Sequence, residues 1–415
     1  MNAEEISKVQ DTVIRFEKVS GLMLHRDVSR KKCNVLSFGD HVNYKKWPDW
    51  ITKANKIKII GAYFINQGNL EWENSNFVKD KCFERINANW SLKGTILQKA
   101  YFVNTFCLSK LNYISQAFIM DTNILEEITK FALKFIYAGE NERPIRLVNF
   151  RRISEGGIGL IEPKLKAKAL LCKSVLKDIR LRNIALKSNV LEVDVYGVND
   201  TIINYIKDGK MNSTSKEIYE AFIFKYLRVN STLIPSRNEK KVANIKWSNS
   251  YRNYRNTTEI DPKEKELVFR FIQDLVAVPA RLHQKVDKRC MRKLKNNDIC
   301  TSISDREHYF QSCDSIREVA LMFKSIAHKI LQKKNISLKD LLHFSYRGRG
   351  KNKEKVFSWV LVKCYKKIFY DKMLDGKKIM QDILKDIKFA ESNQFNITKL
   401  KEFQSVKEVM LNMIT

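Results

Sequence analysis

The chain has 415 residues, which is enough for two or three domains at about 150 residues each. Its hydrophobic content of 44% is ordinary for a globular protein that buries a core. With 76 Lys and Arg against 46 Asp and Glu, the net charge is +30, which predicts a polyanionic partner.

Nucleic acid is the first candidate for that partner, and an anionic membrane surface is the second. A basic protein with no such partner is the third possibility. No 18 apolar residues stand together and the N-terminus lacks a basic, apolar leader, so we expect neither a membrane span nor a secretory signal. The 8 cysteines are widely spread, which favours a reducing compartment, the nucleus or the cytoplasm.

The N-terminal part predicts one helix and a small sheet. Residues 4–19 have apolar side chains on one helical face, and Gly21 can cap the end. Residues 33–38 predict a strand, and residues 57–64 predict a buried strand broken by one glycine. Together these two strands predict the last hairpin of a sheet.

Residues 56–118 carry the most regular pattern in the chain. Apolar residues recur every four positions at Val78, Cys82, Ile86 and Trp90, and helical spacing continues to Phe118. The pattern predicts two consecutive amphipathic helices. Three lysines lie on this segment between core positions, Lys93, Lys99 and Lys110. On spacing alone, an ordinary helical hairpin with a solvated lysine face is the simpler interpretation.

A third helix is predicted over residues 123–138, and Pro144 forbids its continuation. The glycines of EGGIGL (residues 155–160) lack the GK[ST] ending of a phosphate loop. We therefore predict a structural turn that leads into a fourth helix.

These stretches resemble the part of a non-LTR (LINE-type) retrotransposon reverse transcriptase that follows the catalytic motif. The resemblance rests on FEKVSGLMLHRDVSRKKCNVLSFG (16–39), KIIGAYF (58–64), WSLKGT (90–95) and EGGIGL. It covers residues 10–180 and, more weakly, 264–370. It implies a primer-grip hairpin at 57–64, a thumb at 91–118, and RNA, an RNA–DNA hybrid and a DNA target as partners. His25 departs from the pattern, since Asn is commoner there.

The catalytic part of such an enzyme is missing from the sequence. Reverse transcriptases hold Mg²⁺ with carboxylates that include two adjacent aspartates, and this chain contains no Asp-Asp pair. Met1 falls where the catalytic motif would have ended. We expect a fragment that binds RNA or RNA–DNA duplex but cannot polymerise by itself, and we predict no catalytic residue. The alternatives are a domesticated protein-interaction module and a partial gene product of an active enzyme.

From residue 181 to 258 the composition turns polar, and residues 231–258 predict a loosely ordered linker. Within it, KWSNSYRNYRN (246–256) interleaves basic and aromatic residues. Rings can stack on bases while guanidinium groups contact phosphates, so Trp247, Tyr251 and Arg252 are candidate contacts to single-stranded nucleic acid. A surface linker with half-buried rings is the alternative.

Residues 263–313 predict helix, and the segment ends in CTSISDREHYFQSC, where Cys300, His308 and Cys313 offer three metal ligands. DREHYFQSC resembles the second half of the family's zinc element, C-x2-C…H-x4-C. A structural zinc site needs four ligands, and Ile303 stands where the second cysteine should be. Cys290 lies ten residues from Cys300, which is poor spacing. We therefore predict a degenerate site without a bound cofactor, and a working Zn²⁺ site is the alternative.

The remaining chain predicts helices at 315–332, 338–344, 355–374 and 377–389. Residues 347–355 form a basic loop between them. Besides the three thumb lysines, the candidate phosphate contacts are Arg347, Arg349, Lys351 and Lys353.

The predicted fold class is mainly α with a small β remnant. The predicted divisions are a palm remnant (1–66), a helical thumb (67–185), a variable region and linker (186–260), a degenerate zinc-ribbon-like region (261–330) and a basic helical C-terminus (331–415).

Overall fold

The fold is mainly α with a small β component, as the sequence predicted. The structure is a computed structural model. It describes residues 51–138 except 60, 61 and 67; 144–178; 212–257 except 230, 231 and 243; 260–414 except 282–286, 295, 296 and 334; and isolated positions within 11–35, 180, 183 and 210. Most of the helix predicted at 4–19 lies outside these residues.

The small strands pair differently from the prediction. Strand β1 (Cys33–Val35) runs parallel to β2 (Ile51–Lys53), and β3 (Lys56–Ile59) pairs antiparallel with β4 (Ala62–Ile65). The prediction of one buried strand over 57–64, paired with 33–38, is therefore wrong. Lysine and isoleucine alternate along β3, which is the pattern of a half-exposed strand, and the Lys56 ammonium lies 4.0 Å from the centre of the Tyr63 ring.

The next helices form the first part of the core. Helix α1 (Leu70–Ala88) buries its apolar face against α4 (Thr122–Ile136). Along the chain between these two helices, α2 (Ile96–Phe102) begins with a capping box. It continues through a π-helical turn (Val103–Cys107) and a 3-10 turn (Leu108–Lys110) into α3 (Leu111–Ile114). The predicted pair of amphipathic helices is confirmed, followed by the predicted helix at 123–138.

Three further helices follow, α5 (Arg146–Phe150), α6 (Pro163–Lys177) and α7 (Ser215–Tyr226), with a short pair of strands, β5 (Arg228–Val229) and β6 (Thr232–Leu233). The EGGIGL segment is a tight turn before α6. Gly156 has φ +77°, and a Cβ there would lie 2.1 Å from the Tyr251 ring. A side chain there would overlap the ring, and the segment is a structural turn, as predicted.

The predicted linker is folded, and that prediction is wrong. Residues 231–258 contain α8 (Arg237–Lys241) and α9 (Trp247–Asn256). The polar composition is misleading, because asparagine side chains of this segment form hydrogen bonds inside the fold. The buried Asn253 side chain donates to the carbonyl oxygens of Phe344 and Tyr346, at 2.7 and 3.0 Å.

The C-terminal part is a helical bundle that surrounds a buried central helix, α13 (Lys351–Phe369). Its other helices are α10 (Pro262–Ile272), α11 (Asp314–Leu331), α12 (Leu338–Leu342), α14 (Gly376–Ser392) and α15 (Lys401–Ile414). The four helices predicted beyond residue 314 are present. The prediction of helix over 263–313 is correct only for its start, since α10 ends at Ile272. Among the described residues that follow, up to 313, helical geometry is limited to a 3-10 turn (Pro279–Arg281) and a π-helical turn (His308–Ser312). The two parts are in contact, since Glu266 Oε2 accepts a hydrogen bond from the Ile96 backbone N–H at 3.0 Å.

Candidate metal centre and basic surface

The irregular segment between α10 and α11 brings two cysteines together. Residues 288–292 and 300–304 pair as a short antiparallel ribbon that includes a bridge from Arg289 to Ile303, and a second bridge just beyond it joins Lys293 to Ile299. The Cys290 N–H donates to the Ser302 oxygen at 2.9 Å, and the Cys300 N–H donates to the Arg292 oxygen at 2.8 Å. Cys290 and Cys300 are therefore neighbours in space although ten residues separate them.

The other two ligands come from the turn that enters α11. His308 begins a π-helical turn (His308–Ser312), and Cys313 is the N-cap residue of α11. The Cys313 N–H donates to the His308 oxygen at 3.1 Å, which closes this turn. The His308 N–H donates to Asp305 Oδ1 at 2.8 Å and fixes its start.

One ligand atom from each of Cys290, Cys300, His308 and Cys313 lies within 4.8 Å of the others, so this group could hold a metal ion. The Sγ atoms of Cys290 and Cys313 are 3.6 Å apart, and Cys300 Sγ lies 3.4 Å from His308 Nε2. Tetrahedral Zn²⁺ with bonds of about 2.3 Å to sulfur and 2.0 Å to nitrogen places neighbouring ligand atoms about 3.5 to 3.8 Å apart. The two separations fit that geometry.

This arrangement corrects the argument that excluded Cys290 by its spacing. The prediction counted residues along the chain, whereas the ribbon of 288–304 folds Cys290 back onto Cys300. Ile303, which stands at the position expected for a cysteine, is 67% exposed and is not needed as a ligand. The structure brings the three predicted ligands together, and it adds Cys290, which the prediction had considered and rejected.

The surroundings affect the protonation of these ligands. Burial raises the pKa of the Cys290 thiol to about 11. Burial acts to raise the pKa of Cys313, but hydrogen bonds from the Ser315 side chain, at 3.3 Å, and backbone, and from Cys290 and Cys300, together outweigh it and leave that pKa lowered. Burial lowers the pKa of His308, which favours the neutral imidazole that binds metals. The Arg292 guanidinium lies 3.9 Å from the Tyr309 ring centre beside this group and favours thiolate at Cys290.

Most of the predicted phosphate contacts are accessible. Lys93, Arg347, Arg349 and Lys351 are exposed, while Lys110 and Lys353 are half-buried. Within the described part of the chain, none of these six side chains has a carboxylate within 4.0 Å. Their charges are therefore available to an external anion.

Lys99 lies elsewhere. It is only 8% exposed, its ammonium donates to the Phe135 oxygen at 3.4 Å, and it lies 5.2 Å from the centre of the Phe135 ring. It stands three residues after Ile96 and four before Val103, both buried, so it belongs to the core face of the helix. That spacing was the signal in the sequence that could have revealed its burial.

The aromatic residues of α9 also face inward, which argues against the predicted base stacking. Tyr251 is buried, and its hydroxyl donates to Glu239. Trp247 is half-buried and packs on Tyr251 and His343. Arg252 forms an ion pair with Glu354 at 3.1 Å. The interleaved pattern is that of a packed helix, closer to the alternative of half-buried rings.

No protein-family model matches this sequence, and no curated protein matches it either. None of the described helices is both long enough and apolar enough to span a lipid bilayer.

Proposed function

We propose that this chain is the thumb and C-terminal part of a non-LTR retrotransposon reverse transcriptase, and that it binds RNA or RNA–DNA duplex and one structural Zn²⁺ ion in the nucleus or cytoplasm. The observation that carries the proposal is the convergence of Cys290, Cys300, His308 and Cys313. DREHYFQSC resembles the second half of the family's zinc element, and Cys290 supplies the ligand that Ile303 cannot.

The ligand set favours zinc over harder cations. Three thiolates and one imidazole are soft or borderline donors, which select Zn²⁺ against Mg²⁺ or Ca²⁺. Four protein ligands leave no open position for water or substrate, so the ion would be structural. Its contribution would be to cross-link the 288–304 ribbon to the start of α11.

The charge supports the nucleic-acid part of the proposal. The chain carries a net charge of +30. Exposed cations with no carboxylate partner among the described residues lie on the α1–α2 connection (Lys93) and before α13 (Arg347 and Arg349). Such side chains gain binding free energy by releasing counterions from phosphates, independently of base sequence. The sequence contains no adjacent pair of aspartates, so the proposal assigns no polymerase activity to the chain alone.

The test is a salt series on two charge-reversal variants of the full chain. Lys93→Glu/Lys110→Glu changes two predicted thumb contacts, while Lys377→Glu/Lys401→Glu makes the same charge change at exposed positions that begin α14 and α15. Binding to a fluorescent RNA–DNA hybrid is measured by anisotropy between about 50 and 200 mM salt.

The thumb variant should bind more weakly, and the slope of log affinity against log salt should shrink by about 2, since each lost phosphate contact removes about 0.9. The control variant should change the slope less. Equal slopes for the two variants would show that the thumb lysines do not contact phosphates.

A further inference from the structure

A second basic feature lies at the far end of α11 from the metal ligands. There the chain forms an open cavity of about 760 Å³, lined by His328, Gln332, Lys333, Arg347, Gly348 and Arg349. Three of these six residues carry a permanent positive charge and none is acidic. The cavity is therefore a concave, cationic site.

The backbone between the two arginines is held in place. The Arg349 N–H donates to the Leu331 oxygen at 3.2 Å, and the Gly348 N–H donates to Glu354 Oε1 at 3.0 Å. A Cβ on Gly348 would lie 2.8 Å from Leu331 Cδ2, so a larger residue there would displace the Leu331 side chain. The loop is thus fixed against the last turn of α11, with one arginine on each side of the fixed glycine.

No described residue neutralises either arginine. Other arginines of this half have carboxylate partners, such as Arg252 with Glu354 at 3.1 Å and Arg281 with Asp274 at 2.7 Å. Arg347 and Arg349 have none within 4.0 Å among the described residues, and both are exposed.

A simpler interpretation is that these cations compensate the negative end of the α11 dipole. That end carries only about half an elementary charge. His328 and Lys329, on the last turn of α11 itself, already lie where they can interact with it. Two additional arginines from a different segment exceed this requirement.

We propose that this cavity binds a phosphate group of a nucleic-acid strand. Guanidinium groups match phosphate oxygens with paired N–H donors, and Lys333 and Gln332 in the lining add further donors. The source of the phosphate rests on the proposed function, and it is either a terminal monoester or an internal diester.

The cavity can be tested without disturbing the metal centre. His328 lies 15 residues beyond Cys313 along α11, which corresponds to about 22 Å at 1.5 Å per residue. Substitutions at the cavity therefore leave the four metal ligands untouched.

The first experiment titrates inorganic pyrophosphate into the full chain and measures the heat of binding. Arg347→Ala/Arg349→Ala should bind pyrophosphate roughly tenfold more weakly or worse, because two charge-assisted contacts are lost. Lys377→Ala/Lys401→Ala removes the same charge from exposed positions elsewhere and should bind like wild type. Absence of binding to wild type, or equal binding to both variants, would overturn the proposal.

The second experiment compares 5′-phosphorylated and 5′-hydroxyl RNA of one sequence. A preference of wild type for the phosphorylated strand, lost in the arginine variant, would identify a terminal phosphate as the ligand. An equal weakening of both strands in the variant would identify internal phosphates. If the variant binds both strands with wild-type affinity, the cavity does not contact the strand and the proposal fails.

The two experiments also separate this proposal from the function on which it rests. Pyrophosphate binding that depends on the arginines, with no binding of wild type to either RNA, would retain the cavity as a phosphate site and refute nucleic-acid binding. If wild type and the arginine variant bound both RNAs with equal affinity, nucleic-acid binding would be retained and the cavity would be refuted as its phosphate site.

Discussion

Cys290→Ser is the change that most sharply tests the metal centre, because spacing along the chain argued against this residue as a ligand. Serine fits the space of the buried cysteine but offers a neutral hydroxyl, which is a poor zinc ligand at pH 7. The substitution would remove one of the three sulfur ligands of the group, the one whose Sγ lies 3.6 Å from Cys313 Sγ.

The magnitude follows from the linkage between binding and folding. Zinc at 1,000 times its dissociation constant stabilises a folded protein by about 4 kcal/mol if the unfolded chain does not bind it. In wild type, zinc should therefore raise the free energy of unfolding by about this amount. In Cys290→Ser the affinity falls, and at the same zinc concentration most of this increment should disappear.

The assay is urea unfolding of the full chain with zinc or with a chelator, together with the zinc content of the folded protein. Ile303→Ser is the matched control, because it changes an exposed residue of the same ribbon at the position where the spacing predicted a ligand. It should retain one zinc per chain and the full increment. An equal zinc increment in wild type and Cys290→Ser would refute the role of Cys290, and no increment in wild type would refute the site.

Three further changes test the packing around these sites. Gly156→Ala should lower the free energy of unfolding by about 2 to 3 kcal/mol, since its Cβ would overlap the Tyr251 ring; an unchanged urea midpoint would contradict this. Lys99→Met should leave hybrid binding unchanged in the anisotropy assay, because the ammonium group is buried; a clear loss of affinity would mean that it reaches phosphate. His343→Gln should reduce the loss of stability on acidification. Burial and a neighbouring guanidinium lower the pKa of His343 to about 3, so wild type loses stability as the pH falls from about 6.5 towards 3, where only the unfolded chain takes up the proton. If the free energy of unfolding, measured with urea, changed equally in wild type and His343→Gln between about pH 7 and pH 5, the proposed effect of His343 would be refuted.

Helices with strong apolar periodicity could be predicted from the sequence. The face of α1 that contains Val78, Cys82 and Ile86 is buried, as the four-residue spacing predicted. Trp90, the fourth position of that pattern, lies beyond the end of the helix and is 41% exposed. The strand arrangement of residues 56–65 was harder to predict, because a short apolar run fits one buried strand and a two-stranded hairpin equally well. The polar segment of α9 was also misjudged, since asparagines such as Asn253 satisfy buried carbonyl groups and so join the core.

The candidate sites show the same limit. Cys300, His308 and Cys313 lie close in sequence, so their spacing was informative. Cys290 depends on the pairing of 288–292 with 300–304, which no local spacing reveals. The phosphate cavity likewise needs the end of α11 to meet the loop before α13, and only Arg347 and Arg349 could be recognised as part of a basic loop beforehand.

The measurement that tests the central claim most directly is the affinity of the zinc-loaded wild-type chain for a short RNA–DNA hybrid. Fluorescence anisotropy between about 50 and 200 mM salt gives both the affinity and its salt dependence. We predict that the chain binds the hybrid and that the logarithm of its affinity falls steeply and linearly with the logarithm of the salt concentration. No binding at the lowest salt, or an affinity that does not change with salt, would contradict nucleic-acid binding as the function of this chain.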